Sequence, residues 1–184
     1  MKKENTSKII NSYAEALYEV AEKQGESEKV FSDVSFLVTE LSGNKKNTQY
    51  LANPLWANSD KIKVMTDFAE KKGFSTSLKN TIQTIIENGR ASLLDQTAKK
   101  FIDVYYKKKN ISQVSVQTAI KLSDTQQKKL EASLERHLGK KVVVNYKINP
   151  EILGGLLIEC DSKLIDDSIK GKLDRIKLMM KGTK

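Results

Sequence analysis

One cysteine, one histidine, one tryptophan and two prolines in 184 residues exclude several kinds of protein at once. A single Cys160 can close no intramolecular disulfide and seed no cysteine metal cluster, which suits a reducing compartment. Two prolines and nine glycines are too few for a collagen-like or low-complexity chain. The longest apolar stretch, Ile152 to Ile158, falls far short of the ~20 residues that span a bilayer, so no transmembrane helix is expected. The first residues carry positive charge with no apolar run behind them, and helical spacing begins near Ser7. That leaves no room for a removable presequence, and the chain is expected to stay where it is made.

What remains is the composition of a folded protein, 39% hydrophobic and 30% charged, long enough for one domain or two small ones. The net charge of +9 fits nucleic acid, anionic lipid or an acidic protein partner, and sign alone does not choose among them. The excess is spread out: 18 basic and 14 acidic residues up to Asn110, 14 and 9 after it, unlike a basic arm.

Ile10, Tyr13, Ala14, Leu17, Val20 and Ala21 recur at three- and four-residue spacing, which predicts a helix from about Ser7 to Gly25. A second follows from Ser27, with Val30, Phe31, Val34, Leu37, Val38 and Leu41 inward and Ser42-Gly43 at its end. Lys46 to Leu51 suggests a short turn of helix, closed by Asn53-Pro54. Further helices are predicted from Ser59 to Gly73, Thr76 to Asn88 and Ala91 to Lys108. The first part therefore reads as an all-helical bundle.

Lys107-Lys108-Lys109-Asn110 suits a helix C-terminus, and beyond it the apolar period drops from 3.6 to 2. The domains are accordingly set at 1–108 and 109–184. Val114, Val116, Thr118 and Ile120 alternate as a strand, Ser123-Asp124-Thr125-Gln126 is a capping box opening a helix to Gly139, and Val142 to Ile148 alternates as a second strand. Gly155 to Cys160 and Lys163 to Asp166 add two short strands around a turn at Asp161-Ser162. Ser168 can cap a last helix striped with Ile169, Leu173, Ile176 and Met180. The fold class is α+β, a helical bundle followed by a small α+β domain.

Material for catalysis is thin. His137 sits near a helix end, where imidazole usually serves the terminus, and Cys160 lies in an apolar strand. Asp166-Asp167 precedes a helix, a position that favours negative charge for structural reasons. Gly154-Gly155 lacks the Lys-Ser or Lys-Thr of a phosphate loop and better suits a close backbone approach. No catalytic, cofactor or metal residue is assigned. A basic nucleic-acid-binding module is the alternative reading, though Tyr146 is the sole aromatic residue of the second domain's strands and helices. The basic last helix, with Lys170, Lys172, Arg175, Lys177 and Lys181, would also suit an acidic partner helix, a membrane surface or plain solvent.

The run Leu153-Gly154-Gly155-Leu156-Leu157-Ile158, then Leu164-Ile165-Asp166, then Ser168, Gly171, Leu173 and Ile176, strongly resembles the C-terminal signature of the ATP synthase delta subunit family. That family includes the mitochondrial oligomycin-sensitivity-conferring protein. Tyr13-Ala14, Ala16-Leu17 and Glu87-Asn88-Gly89-Arg90 look like its first helix and the turn between its last two bundle helices. The resemblance runs from about Ile9 to Met180. It implies a six-helix bundle that binds the catalytic head and an α+β domain that meets the stalk b subunits. The implied job is that of a non-catalytic stator subunit in a proton-translocating ATP synthase, with no nucleic acid partner. Its implied place is peripheral, on the cytoplasmic side of a bacterial inner membrane, which it reaches through the complex.

In the family, an amphipathic N-terminal helix of an alpha subunit lies between the first and fifth bundle helices. The matching positions here are Ala14, Leu17 and Tyr18 on the first, and Ile82 and Ile86 on the helix from Thr76. A stripe alone does not say which of these serve the groove and which their own core. Asp161 and Asp167 stand where the family commonly has glycine, and Lys170 and Lys172 where arginine is frequent. Aspartate tolerates left-handed backbone better than most residues, whereas lysine lacks arginine's bidentate geometry.

Overall fold

A computed structural model describes residues 2–43, 49–51, 53, 55–160 and 163–181. The chain forms two compact units, Met1–Tyr105 and Tyr106–Lys184.

The first unit holds α1 (Lys2–Lys23), α2 (Ser27–Gly43), α3 (Asn58–Lys71), α4 (Thr76–Glu87) and the start of α5 (Leu94–Lys108), with short connections from α1 to α2, α3 to α4 and α4 to α5. Residues 49–51 are also helical; the rest of the short helix expected at Lys46 to Leu51, and with it the sixth helix of the expected bundle, lies outside the described residues. Helix α1 starts at Lys2, earlier than apolar spacing predicts, because Lys and Glu are good helix formers whatever the apolar spacing. An aromatic cluster anchors the bundle. Tyr18 meets Phe101 and Tyr105 at centroid distances of 6.5 and 6.3 Å, and Phe31 stacks on Tyr105 at 4.2 Å. Around it Val30, Val34, Leu37, Ile85 and Ile86 are fully buried, each contributing roughly 1.5–3 kcal/mol by leaving water. A second set, Phe36, Phe68 and Phe74, ties α3 to α2. The Asp33 carboxylate of α2 accepts the Ser75 N–H (2.8 Å) at the start of α4.

The second unit is a four-stranded sheet in the order β2-β1-β3-β4, built from β1 (Ser112–Thr118), β2 (Val142–Ile148), β3 (Leu156–Cys160) and β4 (Lys163–Asp166). Strands β1 and β2 are parallel, joined by α6 (Asp124–Leu138), and the other pairings are antiparallel. The capping box at Ser123 forms as the sequence predicts, with Ser123 and Gln126 serving each other. Val114, Val116, Ile158 and Cys160 share one face of the sheet and form a core with Leu134 of α6. Strand β1 stops at Thr118, not Ile120: its partner β3 begins opposite Thr118, and the Thr118 carbonyl already accepts the Asn149 N–H. Ile120 is left 75% exposed. Helix α7 (Ile169–Lys181) ends the described chain; the turn expected at Asp161-Ser162 lies outside it.

Candidate functional site

Three hydrogen bonds, at two ends, fix how α1 and α4 lie together. Near the end of α1, Gln24 meets the Ser77 hydroxyl at the start of α4. Near the start of the apolar stripe, the Tyr13 hydroxyl accepts from Asn88 Nδ2 (3.2 Å) and Arg90 NH1 (2.9 Å), just past the end of α4. The helices are therefore antiparallel. The residues at the two ends of this contact also define its outer seam, because side chains three, four and seven apart share a helix flank. Tyr13, Ala16 and Val20 lie along α1, with Val20 43% exposed, and Ser77, Thr81, Thr84 and Asn88 along α4. The Thr81 and Thr84 hydroxyls donate to the Ser77 and Asn80 carbonyls of their own helix (2.8 Å each), so that wall needs no hydrogen bond from a partner.

Ala14, Leu17, Tyr18, Ile82 and Ile86 are brought together by the fold, but underneath this seam: all are at most 3% exposed. In the structure they pack the bundle core, and Ala16, Val20 and Thr84 are exposed on the flank beside them. The offset has a simple origin. The apolar stripe marks the side of a helix facing its own domain, and a groove between two helices is lined by the flank next to it. Val20, apolar yet a step off the stripe's centre, was the available signal.

The second unit has its own constellation, where β4 turns into α7. Gly155, with φ +80°, lies so close to Asp167 that a Cβ there would overlap the Asp167 carbonyl oxygen. The Asp167 and Ile169 N–H groups donate to the Leu156 and Gly154 carbonyls (3.0 Å each). Asp166 Oδ1 accepts from the Ser168 N–H (2.9 Å) and hydroxyl (2.5 Å), while Ser168 Oγ accepts the Gly171 N–H (3.0 Å), capping α7. A Cβ on Gly171 would overlap the Asp166 carboxylate. Those Ser168 bonds, and more weakly the Arg175 charge, hold the Asp166 carboxyl below its usual range against a small opposing effect of burial. Beyond this knot, Ile169, Leu173, Ile176 and Met180 form one face of α7, each about half or more exposed, with Ile165 of β4 50% exposed nearby in sequence.

A family model described as ATP synthase delta (OSCP) subunit matches residues 9–180. The chain belongs to this family. It is 31% identical over 172 residues to the ATP synthase subunit delta of Rickettsia bellii (strain OSU 85-389), covering 94% of this chain and 91% of the relative. It is 33% identical over 173 residues to the chloroplastic ATP synthase subunit delta of Ochrosphaera neapolitana, covering 94% and 96%. A chain of the cryo-EM structure of the Toxoplasma gondii mitochondrial ATP synthase hexamer shares the fold, with a TM-score of 0.76 over 95% of this chain and 98% of that one at 24% identity. The delta/OSCP subunit is a structural part of the F-type ATP synthase, which couples proton flow to ATP synthesis, and not its catalytic part.

Against that delta-family pattern, two departures meet each other. Lys172 pairs with Asp167 at 2.7 Å, both side chains being more than half exposed, so the pair is worth little in stability. Asp167 does not need its tolerance of left-handed backbone, since its φ is not positive; Asp161 lies outside the described residues. His137 is exposed in the last turn of α6, and Cys160 is buried in the sheet core. Among the described residues, no cluster of three or more His, Cys, Asp or Glu could hold a metal ion, and no helix is long and apolar enough to cross a membrane.

Proposed function

We propose that this chain is a non-catalytic stator subunit that joins the catalytic head of the synthase to its peripheral stalk, each unit serving one partner. The first unit takes the amphipathic N-terminal helix of an alpha subunit along the α1–α4 seam. The observation that carries this is the seam itself: Ala16 and Val20 face outward, hydroxyls opposite them are satisfied within α4, and polar bonds lock both ends. Such a surface suits an apolar helix stripe lying in a groove. The second unit takes the stalk b subunits on α7, where Ile169, Leu173, Ile176 and Met180 form an apolar face with no cover among the described residues. The knot of Gly154, Gly155, Asp166, Ser168 and Gly171 holds the root of that helix. The chain acts peripherally on the cytoplasmic side of the membrane, reaching it through the complex.

The nucleic-acid alternative is weakened by the sheet. Tyr146 lies on the face covered by α6, its hydroxyl near Glu131 and the Gln127 carbonyl (3.3 and 3.4 Å). The opposite face carries Gln113, Ser115, Gln117, Val143, Asn145 and Lys147, with no ring on which a base could stack. The test is a titration of the full chain with a peptide of its own alpha-subunit N-terminus, and with DNA over a range of salt. Saturable peptide binding supports the stator role; no peptide binding together with salt-steep DNA binding overturns it.

A further inference from the structure

The polar end of the seam has a feature that an apolar groove does not need. The Tyr13 oxygen already accepts two hydrogen bonds, from Asn88 and Arg90, so its lone pairs are filled and its own proton is left to give. Asn88 spends its second amide proton on the Thr84 carbonyl (2.8 Å). Arg90, with its guanidinium carbon 5.8 Å from the centre of the Tyr13 ring, uses one of its five N–H groups on Tyr13, and no carboxylate pairs with it among the described residues. The side chains at this end therefore present donors and a positive charge, fixed in direction by bonds to each other. They stand beside Ala16 and Val20, which offer no polar atom.

We infer that Tyr13 and Arg90 together receive a carboxylate side chain of the helix bound in the seam, and so set its register. This rests on the stator reading above and adds to it a specificity-determining contact. An apolar stripe can slide by a turn on another apolar stripe at little cost, whereas a carboxylate that meets the Arg90 fork and the Tyr13 proton in one register is left unpaired in the others.

The experiment is a double-mutant cycle on the full chain. The probes are its alpha-subunit N-terminal peptide and the same peptide with each Glu and Asp changed in turn to Gln or Asn. One such change should weaken binding to the wild-type chain about fivefold, a loss that shrinks in high salt. Arg90→Gln should bind the unmodified peptide about fivefold more weakly and lose its sensitivity to that same change. Tyr13→Phe, which keeps the ring, should show a partial version of both effects. If every carboxylate change costs wild type and Arg90→Gln alike, or costs neither anything, Arg90 only braces Tyr13 and the inference is overturned while the groove stands. If the unmodified peptide does not bind at all, both fall.

Discussion

The Asp167 carbonyl oxygen occupies the space that a Cβ on Gly155 would fill. A left-handed φ of +80° adds a second reason for glycine here. Gly155→Ala is therefore expected to lower the stability of the second unit by about 2–4 kcal/mol. Gly154→Ala should cost less, because its Cβ would meet the movable tip of Ile169 rather than backbone. Urea unfolding followed by circular dichroism would rank the two variants.

Core and seam are separable by mutation. Ile86→Ala, at a fully buried position, should cost about 2–5 kcal/mol in stability, whereas Val20→Asp should leave unfolding within about 0.5 kcal/mol of wild type. The order should reverse in a titration with the alpha-subunit peptide, where Val20→Asp abolishes measurable binding. A Val20→Asp variant with normal affinity would remove the seam from the proposed function.

Acid should loosen the root of α7. Asp166 has a lowered pKa in the fold, chiefly through the Ser168 hydroxyl and N–H, so its contribution is fully present above the ordinary carboxylate range. It is lost as pH falls below about 4 and through the depressed folded value. Asp166→Asn should be less stable than wild type at neutral pH, with the gap closing in acid. Ser168→Ala, which also removes the cap on Gly171, should cost about 1 kcal/mol at pH 7. Chemical denaturation at a series of pH values checks both.

Alkali acts on the second unit through another residue. Partial burial, then the charge and hydrogen bond of Glu131, push the Tyr146 phenol up to about 12. Its neutral form is thus favoured by folding; the contribution holds below the unfolded value near 10 and fades as pH rises towards 12. In a spectroscopic titration Tyr146 should ionise late, as should Tyr18 and Tyr105, which burial also raises; Tyr146→Phe should remove one tyrosine's share of that late step and flatten the loss of stability above pH 10.

Exposure on α7 makes a last prediction. Leu173 and Ile176 are each 53% exposed, so Leu173→Glu and Ile176→Glu should fold with nearly unchanged melting temperature. Copurification of the stalk b subunits with either variant should drop sharply while the catalytic head is retained.

Much of this was legible in the chain because it is local. Ser123 and Gln126 are three residues apart, so a capping box can be read from the sequence, and the alternation of Val142 to Ile148 declares a strand without reference to its neighbours. The order of Gly154-Gly155, Ile165-Asp166, Ser168 and Gly171 carried the family likeness on spacing alone. Which side of α1 is surface was not local. Tyr13 reaches Asn88 and Arg90 across 75 and 77 residues, and those bonds place the seam along the edge of the stripe that periodicity picks out, through Tyr13 and Val20. Likewise a short strand ends where its partner does, so β1 stops at Thr118 although Ile120 keeps the alternation. Periodicity reports how a segment relates to its own axis; burial depends on what the rest of the chain puts beside it, and tertiary packing alone decides that.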